Sequence, residues 1–251
     1  MIKKVVIAAS GQGTRMLPLT RNKPKHLIKI FKKPFLFYLL ENIKKAGYKE
    51  LILVAGFKIE KIREFLAKEK YKIKLVNQFE ILGGKEKIYG TACPLKCVKD
   101  IIGQEDFLLV YGDNLYSPRD LKSFNLEDGY NYVAGIVSQK PEKYGVLKTK
   151  NGFLKKIIEK PQRFVGNLIN TGLYKFTPVV FSKVEKIKLS KRGEYELTDI
   201  LNLLAEEKKV KVKEIKDYWL DFGNLADIPK VSKFLRNKYQ KKKKKNEKNK
   251  K

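Results

Sequence analysis

The sequence predicts an α/β fold: a Rossmann-like, mixed and mostly parallel central sheet, with helices on both faces and a small antiparallel extension. In the first half, short apolar runs alternate with helical patterns, an order typical of parallel strands joined by helical crossovers. In the second half, short strands are separated by turn residues, as in antiparallel sheets. The 251 residues, 43% of them hydrophobic, can bury one sizeable core.

Hydrophobic periodicity places the elements of the first half. Apolar residues at 35, 36, 39, 40 and 43 predict a helix over 35–46, and a similar stripe predicts one over 59–68. A third helix is predicted to begin near Thr91. Buried strands are predicted at 5–9, 51–55, 73–76 and 107–111.

The second half is predicted to add strands at 132–137, 144–148, 153–158 and 168–176, followed by a helix over 197–207. Two further strands, 210–215 and 219–220, are predicted to return to the sheet before a closing amphipathic helix over 224–239. We therefore predict one domain over 1–237 and a lysine-rich, disordered tail over 238–251, because that tail has almost no apolar side chains to bury.

The charge of the chain is extreme, with a formal net value of +29. A positive field favours anionic ligands, but it does not distinguish nucleotides, nucleic acid or lipid. Specific single-strand binding would require aromatic side chains among the basic ones, and Tyr239 is the only aromatic residue near the tail. We therefore expect no specific nucleic-acid partner.

The chain gives no signal for a membrane or an oxidising compartment. No apolar run approaches the roughly 20 residues that a spanning helix needs, and the run at 5–9 is too short for a signal peptide. Cys93 and Cys97 are four positions apart, unlike a redox or zinc motif, and are expected to be free thiols. The expected location is the cytoplasm.

The loop after the first strand reads SGQGTR over 10–15, with Lys25 shortly beyond it. The third glycine of a dinucleotide fingerprint would fall at Met16, so that motif fails. A small-residue turn at the carboxyl edge of a parallel sheet exposes backbone N–H groups where such folds bind ligands. With Arg15 and Lys25 beside it, the turn suits a triphosphate. The alternative is a solvated basic loop.

Two aspartates occupy similar sequence settings. Asp113 and Asp221 each follow an apolar strand; Gly112 directly precedes Asp113, and Gly223 comes two residues after Asp221. Either one alone is more often a cap or turn residue. Together, beside a triphosphate loop, they form a plausible Mg²⁺ pair, since Mg²⁺ usually takes one or two carboxylates plus phosphate oxygens.

Several motifs in one order resemble the sugar-1-phosphate nucleotidylyltransferase family, and most nearly its glucose-1-phosphate thymidylyltransferases and their uridylyl relatives. The motifs run in family order from residue 5 to about 236: GQGTR (11–15), PLT (18–20), PK (24–25), YGTA (89–92), GD (112–113), YG (144–145), EKP (159–161), NTG (170–172), RGEYELTD (192–199) and WLDFG (219–223). The resemblance implies that an NTP, with dTTP or UTP favoured, is joined to a sugar 1-phosphate, with glucose 1-phosphate favoured. The products would be an NDP-sugar and pyrophosphate.

The resemblance also implies residue roles. Arg15 and Lys25 would be catalytic, binding the departing pyrophosphate and the transferred phosphoryl group, and Asp113 and Asp221 would bind Mg²⁺. The nucleotide would contact Ser10, Gly11, Gly13, Thr14, Gln78, Gly83, Gly90 and Thr91, with Gln78 on a strand facing the cleft. The sugar phosphate would contact Tyr144, Gly145, Glu159, Lys160, Asn170, Gly172 and Arg192. Relatives commonly form dimers or tetramers.

The sequence departs from the family pattern at three places. Ser10 replaces a first glycine, His26 stands where thymidylyltransferases commonly carry a base-reading glutamine, and the segment 81–89 is longer than usual. The base is therefore left open.

Two other functions fit parts of the pattern. One is a non-catalytic, sugar-nucleotide-binding regulatory homologue, although such proteins typically lose a metal carboxylate or the Arg/Lys pair, which this chain retains. The other is a nucleotide-sugar glycosyltransferase, whose D-x-D metal motif would need a second acid where Leu115 stands.

Overall fold

A computed structural model describes residues 1–84 and 88–248, with side chains as far as Gln240. The helices are α1 Phe35–Lys45, α2 Ile59–Lys68, α3 Gln78–Leu82, α4 Cys93–Ile102, α5 Pro118–Ser123, α6 Phe181–Val184, α7 Leu197–Glu206 and α8 Asp227–Lys248. The strands are β1 Lys4–Ala9, β2 Lys29–Ile30, β3 Lys33–Pro34, β4 Glu50–Ala55, β5 Lys74–Asn77, β6 Phe107–Tyr111, β7 Asn114–Tyr116, β8 Asn131–Val137, β9 Gly145–Lys150, β10 Phe153–Glu159, β11 Leu168–Phe176, β12 Val210–Glu214 and β13 Trp219–Asp221. Part of the long segment 81–89, namely 85–87, lies outside the described residues.

A nine-stranded mixed sheet forms the centre of the fold, in the order β5-β4-β1-β6-β11-β8-β12-β10-β9. The strands β5, β4, β1 and β6 are parallel, as the alternation of strands and helices predicts. β11 then reverses direction against β6 and β8. The predicted mixed α/β fold is confirmed, but the sheet is not mostly parallel with a small extension. Of the eight neighbouring pairs in this order, β6–β11, β11–β8, β12–β10 and β10–β9 are antiparallel, while β8–β12 is parallel.

Helices cover both faces of this sheet. Along β1, Val5 and Ile7 belong to one buried apolar cluster and Val6 to another, because successive strand residues point to opposite faces. The first cluster includes residues of α1, α2, α5 and α8, and the second includes residues of α4, α6 and α7. The parallel strands are therefore covered on both sides, and their carboxyl ends are left to form a site.

The prediction that 219–220 rejoins the main sheet is wrong. β13 pairs instead with β7, antiparallel, in a separate two-stranded ladder. The cause lies in buried Asp120, whose carboxylate accepts hydrogen bonds from the backbone N–H groups of residues 216, 217 and 218 at 2.8, 3.1 and 3.3 Å. Because Asp120 follows β7 closely in sequence, these bonds draw the chain toward β7.

The final helix continues to Lys248, beyond the end predicted at residue 239. Its apolar residues Val231 and Leu235 are buried in the core, and Tyr239 packs against Phe31 with ring centroids 5.5 Å apart. In the described part of the chain, no helix is both long and apolar enough to cross a membrane. The division into a domain over 1–237 and a tail over 238–251 stays a prediction.

Candidate active site

A cavity of about 490 Å³ lies at the carboxyl ends of β1 and β6, bounded on its other sides by β9, β10, β11 and β13. All of the predicted site residues except Gln78 and Gly83 line it: Ser10, Gly11, Gly13, Thr14, Arg15, Lys25, Gly90, Thr91, Asp113, Tyr144, Gly145, Glu159, Lys160, Asn170, Gly172, Arg192 and Asp221. The fold thus collects residues from most of the chain at the edge where parallel sheets bind ligands.

The glycine loop has a fixed shape. Gly13 has a left-handed conformation, with φ 68° and ψ 33°, and its carbonyl accepts from the Thr20 hydroxyl at 2.9 Å and from Met16 N–H at 2.9 Å. A β-carbon at Gly13 would lie only 3.1 Å from the β-carbon of Lys25. Buried Met16 anchors this turn, while Arg15 beside it is exposed at the cavity.

Lys25 and Asp113 form an ion pair in the lining of the cavity. Burial alone would raise the pKa of the Asp113 carboxyl, but the Lys25 ammonium holds that pKa below its usual value. The other Asp113 oxygen accepts from the Asn114 side-chain amide at 3.2 Å. Asp113 is therefore an ionised carboxylate held in place on both oxygens.

Asp221 lies beside Asp113 across the β7–β13 ladder. It is the ladder partner of Asn114, and Phe222 N–H donates to the Asp113 carbonyl at 2.9 Å. Burial, followed by the nearby Asp113 and Asp227 carboxylates, raises the pKa of Asp221 to about 6. Tyr144 donates to the Asp221 carboxylate at 3.4 Å.

The donor set suits a divalent cation. Asp113 and Asp221 bring two carboxylates to one cavity, where burial and then repulsion from Asp113 raise the pKa of Asp221. A cation between the two carboxylates would relieve that repulsion. No group of three or more His, Cys, Asp or Glu side chains with metal-site geometry occurs among the described residues. A cation here would thus be held by a carboxylate pair and completed by substrate oxygens, as is usual for Mg²⁺.

His26, next to Lys25 in a short 3-10 helix, is buried and neutral. Burial, with a smaller effect of the Lys25 charge, lowers the pKa of His26 to about 3. Its imidazole therefore adds no charge to the part of the cavity wall that contains Lys25, although it lines that wall.

The opposite side of the cavity is a polar wall built on β9, β10 and β11. Gly145 and Glu159 are ladder partners, and a β-carbon at Gly145 would meet a Glu159 carboxylate oxygen at 2.9 Å. Asn170 donates to the Tyr174 hydroxyl at 2.7 Å and accepts from Gly172 N–H at 3.0 Å. The two hydrogen bonds hold the Asn170 side chain in place, and the absence of a β-carbon at Gly145 leaves room for the Glu159 carboxylate at the cavity wall.

Arg192 already has two carboxylate neighbours. Its Nη2 lies 2.7 Å from Glu196 Oε1 and 3.8 Å from Glu159 Oε1. Burial would lower the pKa of Arg192, but hydrogen bonding and attraction to Glu196 raise it above its usual value. The guanidinium is therefore a fixed cation in the cavity lining.

Gln78 is not placed as predicted. It is the first residue of α3 rather than a strand residue, is fully buried, and does not line the cavity. The cause is Asn77, whose side chain accepts from Phe79 N–H at 3.1 Å and so begins a helix directly after β5. Both amide atoms of Gln78 lack a partner among the described residues. Gly83, which ends α3 with φ 82°, also lies outside the cavity lining.

Several residues that line the cavity were not among the predicted site residues. Tyr111, Thr171, Glu194, Glu196, Thr198 and Trp219 all line the cavity. Glu196 and Thr198 belong to the RGEYELTD motif, so the motif carried a signal, but nothing in it indicated which acid faces Arg192. Trp219 packs edge-on against Tyr144 at 5.6 Å between ring centroids, a contact between residues distant in sequence.

The comparisons with known proteins decide the family. The family described as "Nucleotidyl transferase" matches residues 4–238. The chain belongs to this nucleotidyl transferase family. The resemblance seen in the ordered motifs is therefore confirmed.

The relatives agree with this assignment. A bifunctional sugar-1-phosphate nucleotidylyltransferase/acetyltransferase of Sulfurisphaera tokodaii is 35% identical over 231 residues, covering 90% of this chain and 55% of that protein. The UTP–glucose-1-phosphate uridylyltransferase AglF of Haloferax volcanii is 31% identical, covering 89% of this chain and 93% of that protein. The chain spans about half the length of the bifunctional relatives it matches.

A solved structure of UDP-glucose pyrophosphorylase complexed with UDP-glucose is similar over almost the whole chain. Its TM-score is 0.81 at 26% identity, covering 95% of this chain and all of that one. This structural likeness agrees with the family assignment.

Proposed function

We propose that this nucleotidyl transferase family member is a Mg²⁺-dependent sugar-1-phosphate nucleotidylyltransferase. It joins an NTP to a sugar 1-phosphate and releases pyrophosphate. The observation that carries the proposal is the meeting of Asp113 and Asp221 in one cavity with Arg15 and Lys25. This is the constellation that phosphoryl transfer to a bound oxygen nucleophile needs, because positioning and charge stabilisation supply most of its catalysis.

Each group has a role that its environment supports. The sugar-phosphate oxygen attacks the α-phosphorus, so no protein nucleophile is needed. Arg15, exposed beside the glycine turn, neutralises the departing pyrophosphate. Lys25 exchanges its Asp113 partner for the transferred phosphoryl group. When bound to Asp113 and Asp221, Mg²⁺ would supply charge neutralisation at the phosphate oxygens.

The sugar phosphate occupies the wall built on β9, β10 and β11. Glu159 accepts hydrogen bonds from sugar hydroxyls, and the Asn170 amide can accept from them or donate to them. Lys160 and Arg192 bind the phosphate, and all four residues line the cavity. Ser10, Gly11, Gly13, Thr14, Gly90 and Thr91 contact the nucleotide from the opposite side. Gln78 and Gly83 would reach the base only after a rearrangement of α3, since neither lines the cavity.

The favoured substrates are UTP or dTTP with glucose 1-phosphate. Support comes from the names of relatives that cover most of the chain, which include a UTP–glucose-1-phosphate uridylyltransferase. A cytoplasmic location and a dimer or tetramer remain predictions that rest on the sequence and its resemblance alone.

A substrate matrix tests the proposal. ATP, GTP, CTP, UTP and dTTP are each combined with several sugar 1-phosphates, and pyrophosphate release is measured with and without Mg²⁺. We expect release only when NTP, sugar 1-phosphate and Mg²⁺ are all present. Arg15→Ala should reduce release by a factor of about 10² or more, whereas Arg21→Ala, an exposed arginine outside the cavity lining, should not. Full activity of Arg15→Ala would overturn the assignment of the loop.

A further inference from the structure

Segment 190–198 lies directly across segment 89–92, and backbone hydrogen bonds join the two. Tyr195 N–H donates to the Tyr89 carbonyl and Ala92 N–H donates to the Tyr195 carbonyl, each at 2.9 Å. Both segments line the cavity, the first through Arg192, Glu194, Glu196 and Thr198 and the second through Tyr89, Gly90 and Thr91. The fold thus places the proposed nucleotide contact against the proposed sugar-phosphate contact.

No free space separates these two segments at Gly90. A β-carbon there would lie 2.3 Å from the Tyr195 carbonyl oxygen and 2.4 Å from its nitrogen. Two backbones in such close contact move together, because a displacement of one breaks hydrogen bonds or creates a collision with the other. Any shift of Thr91 on nucleotide binding is therefore passed to residue 195 and to its neighbours.

Glu196 is the side chain that links the two contacts. Only 5% of it is exposed. One oxygen, Oε1, accepts from Arg192 Nε at 3.1 Å, from Arg192 Nη2 at 2.7 Å and from the Ser190 hydroxyl at 3.1 Å. The other, Oε2, accepts from the Thr91 hydroxyl at 3.4 Å. Thr91 in turn accepts from Leu197 N–H at 2.9 Å.

The charges make the Arg192 end of this link stronger than the Thr91 end. Arg192 lies 2.7 Å from Glu196 but 3.8 Å from Glu159, so an incoming phosphate can replace Glu159 as a partner while Glu196 keeps the guanidinium in place. A buried carboxylate that holds both a hydroxyl and a guanidinium transmits the position of one to the other. Loss of its charge would loosen Arg192 more than Thr91, because only the arginine contact is an ion pair.

We propose that Glu196 is a positioning residue that couples the two substrate subsites, so that a bound nucleotide strengthens the binding of the sugar phosphate and the reverse. The inference rests on the proposed function for the identity of the two ligands. Binding linkage is reciprocal, so the same factor must appear whichever ligand is added first.

The experiment measures that factor by calorimetry on the full chain with Mg²⁺. The dissociation constant of glucose 1-phosphate is determined without and with saturating α,β-methylene UTP, which does not react, and the order of addition is then reversed. The wild-type chain should show a ratio of about fivefold or more, the lower range of typical couplings. Glu196→Gln and Thr91→Val cut the link from opposite ends and should each reduce the ratio to below about twofold. The double variant should show no further loss.

Controls separate coupling from folding. Glu185→Gln changes an exposed glutamate paired with Lys99 and should keep the wild-type ratio, and thermal melting checks that each variant is folded. A purely structural role for Glu196 would weaken both single-ligand affinities and leave their ratio intact, which would overturn the inference. A wild-type ratio near one would do the same. If no substrate pair yields pyrophosphate with the wild-type chain, the proposed function fails instead, and the two failures are distinct.

Discussion

Gly90→Ala tests whether the close contact between segments 89–92 and 190–198 is needed for the site. Gly90 has φ 139°, and its added β-carbon would meet the Tyr195 backbone at 2.3 Å, far inside normal contact. Backbone atoms cannot swing aside as a side chain can. The alanine therefore forces the two segments apart, and the hydrogen bonds from Tyr195 to Tyr89 and from Ala92 to Tyr195 are lost.

The matched control is Gly166→Ala. Gly166 has a similar φ of 146°, but a β-carbon there would meet only a Val146 methyl at 3.5 Å, an ordinary contact. Both substitutions carry the same kind of backbone strain, so the difference between them isolates the collision. Two backbone hydrogen bonds are worth about 0.5–1.5 kcal/mol each, and Gly90→Ala should be destabilised by about 1–3 kcal/mol more than Gly166→Ala.

Urea unfolding of the two variants and the wild-type chain measures this difference. Pyrophosphate release is a second measurement. It should fall only in Gly90→Ala, because Gly90 and Thr91 line the cavity and are displaced in that variant alone. Equal free energies of unfolding for the two variants would refute the reasoning, and so would wild-type turnover of Gly90→Ala.

Three further outcomes follow from the described contacts. Asp221→Asn should lower pyrophosphate release by a factor of about 10² or more and raise the Mg²⁺ concentration needed for half activity, while Asp217→Asn, an exposed aspartate nearby, should change neither. Asp120→Ala should lower the free energy of unfolding by about 3 kcal/mol, because three backbone N–H groups lose a buried carboxylate; an unchanged urea midpoint would contradict this. Burial raises the thiol pKa values of Cys93 and Cys97 to about 11 and about 12, so thiol labelling at pH 8 should be much slower in the folded chain than in urea. Rapid labelling of the folded chain would show that the two thiols are accessible. Because the thiols ionise at lower pH in the unfolded chain than in the folded chain, the stability that they contribute should be complete below pH 9 and lost as the pH rises through about 11 to 12.

Much of the fold followed from patterns that extend over many residues. The helix over 59–68 and the strands 107–111 and 168–176 have the predicted bounds, because each carries a full period of buried side chains. Short elements behaved differently. α3 and β13 have five and three residues, and their conformations depend on the side chains of Asn77 and Asp120 rather than on their own periodicity.

Part of the site could likewise be predicted from the sequence, and part could not. Arg15, Lys25, Asp113 and Asp221 stand in motifs whose chemistry is local, and the fold does bring them to one cavity. The position of Gln78 could not be predicted, because a capping side chain one residue earlier turns it away from the cavity lining.

By itself, the sequence determined which residue types are available, which strands are buried, and the order of motifs that identifies the family, since these depend on periodicity and local chemistry. Only the tertiary structure decided which groups share a cavity and what each is paired with. Lys25 binds Asp113 across 88 positions of sequence, and Thr91 meets Glu196 across 105. Such pairs form only where packing places two distant segments within hydrogen-bond reach, and no local pattern contains that information.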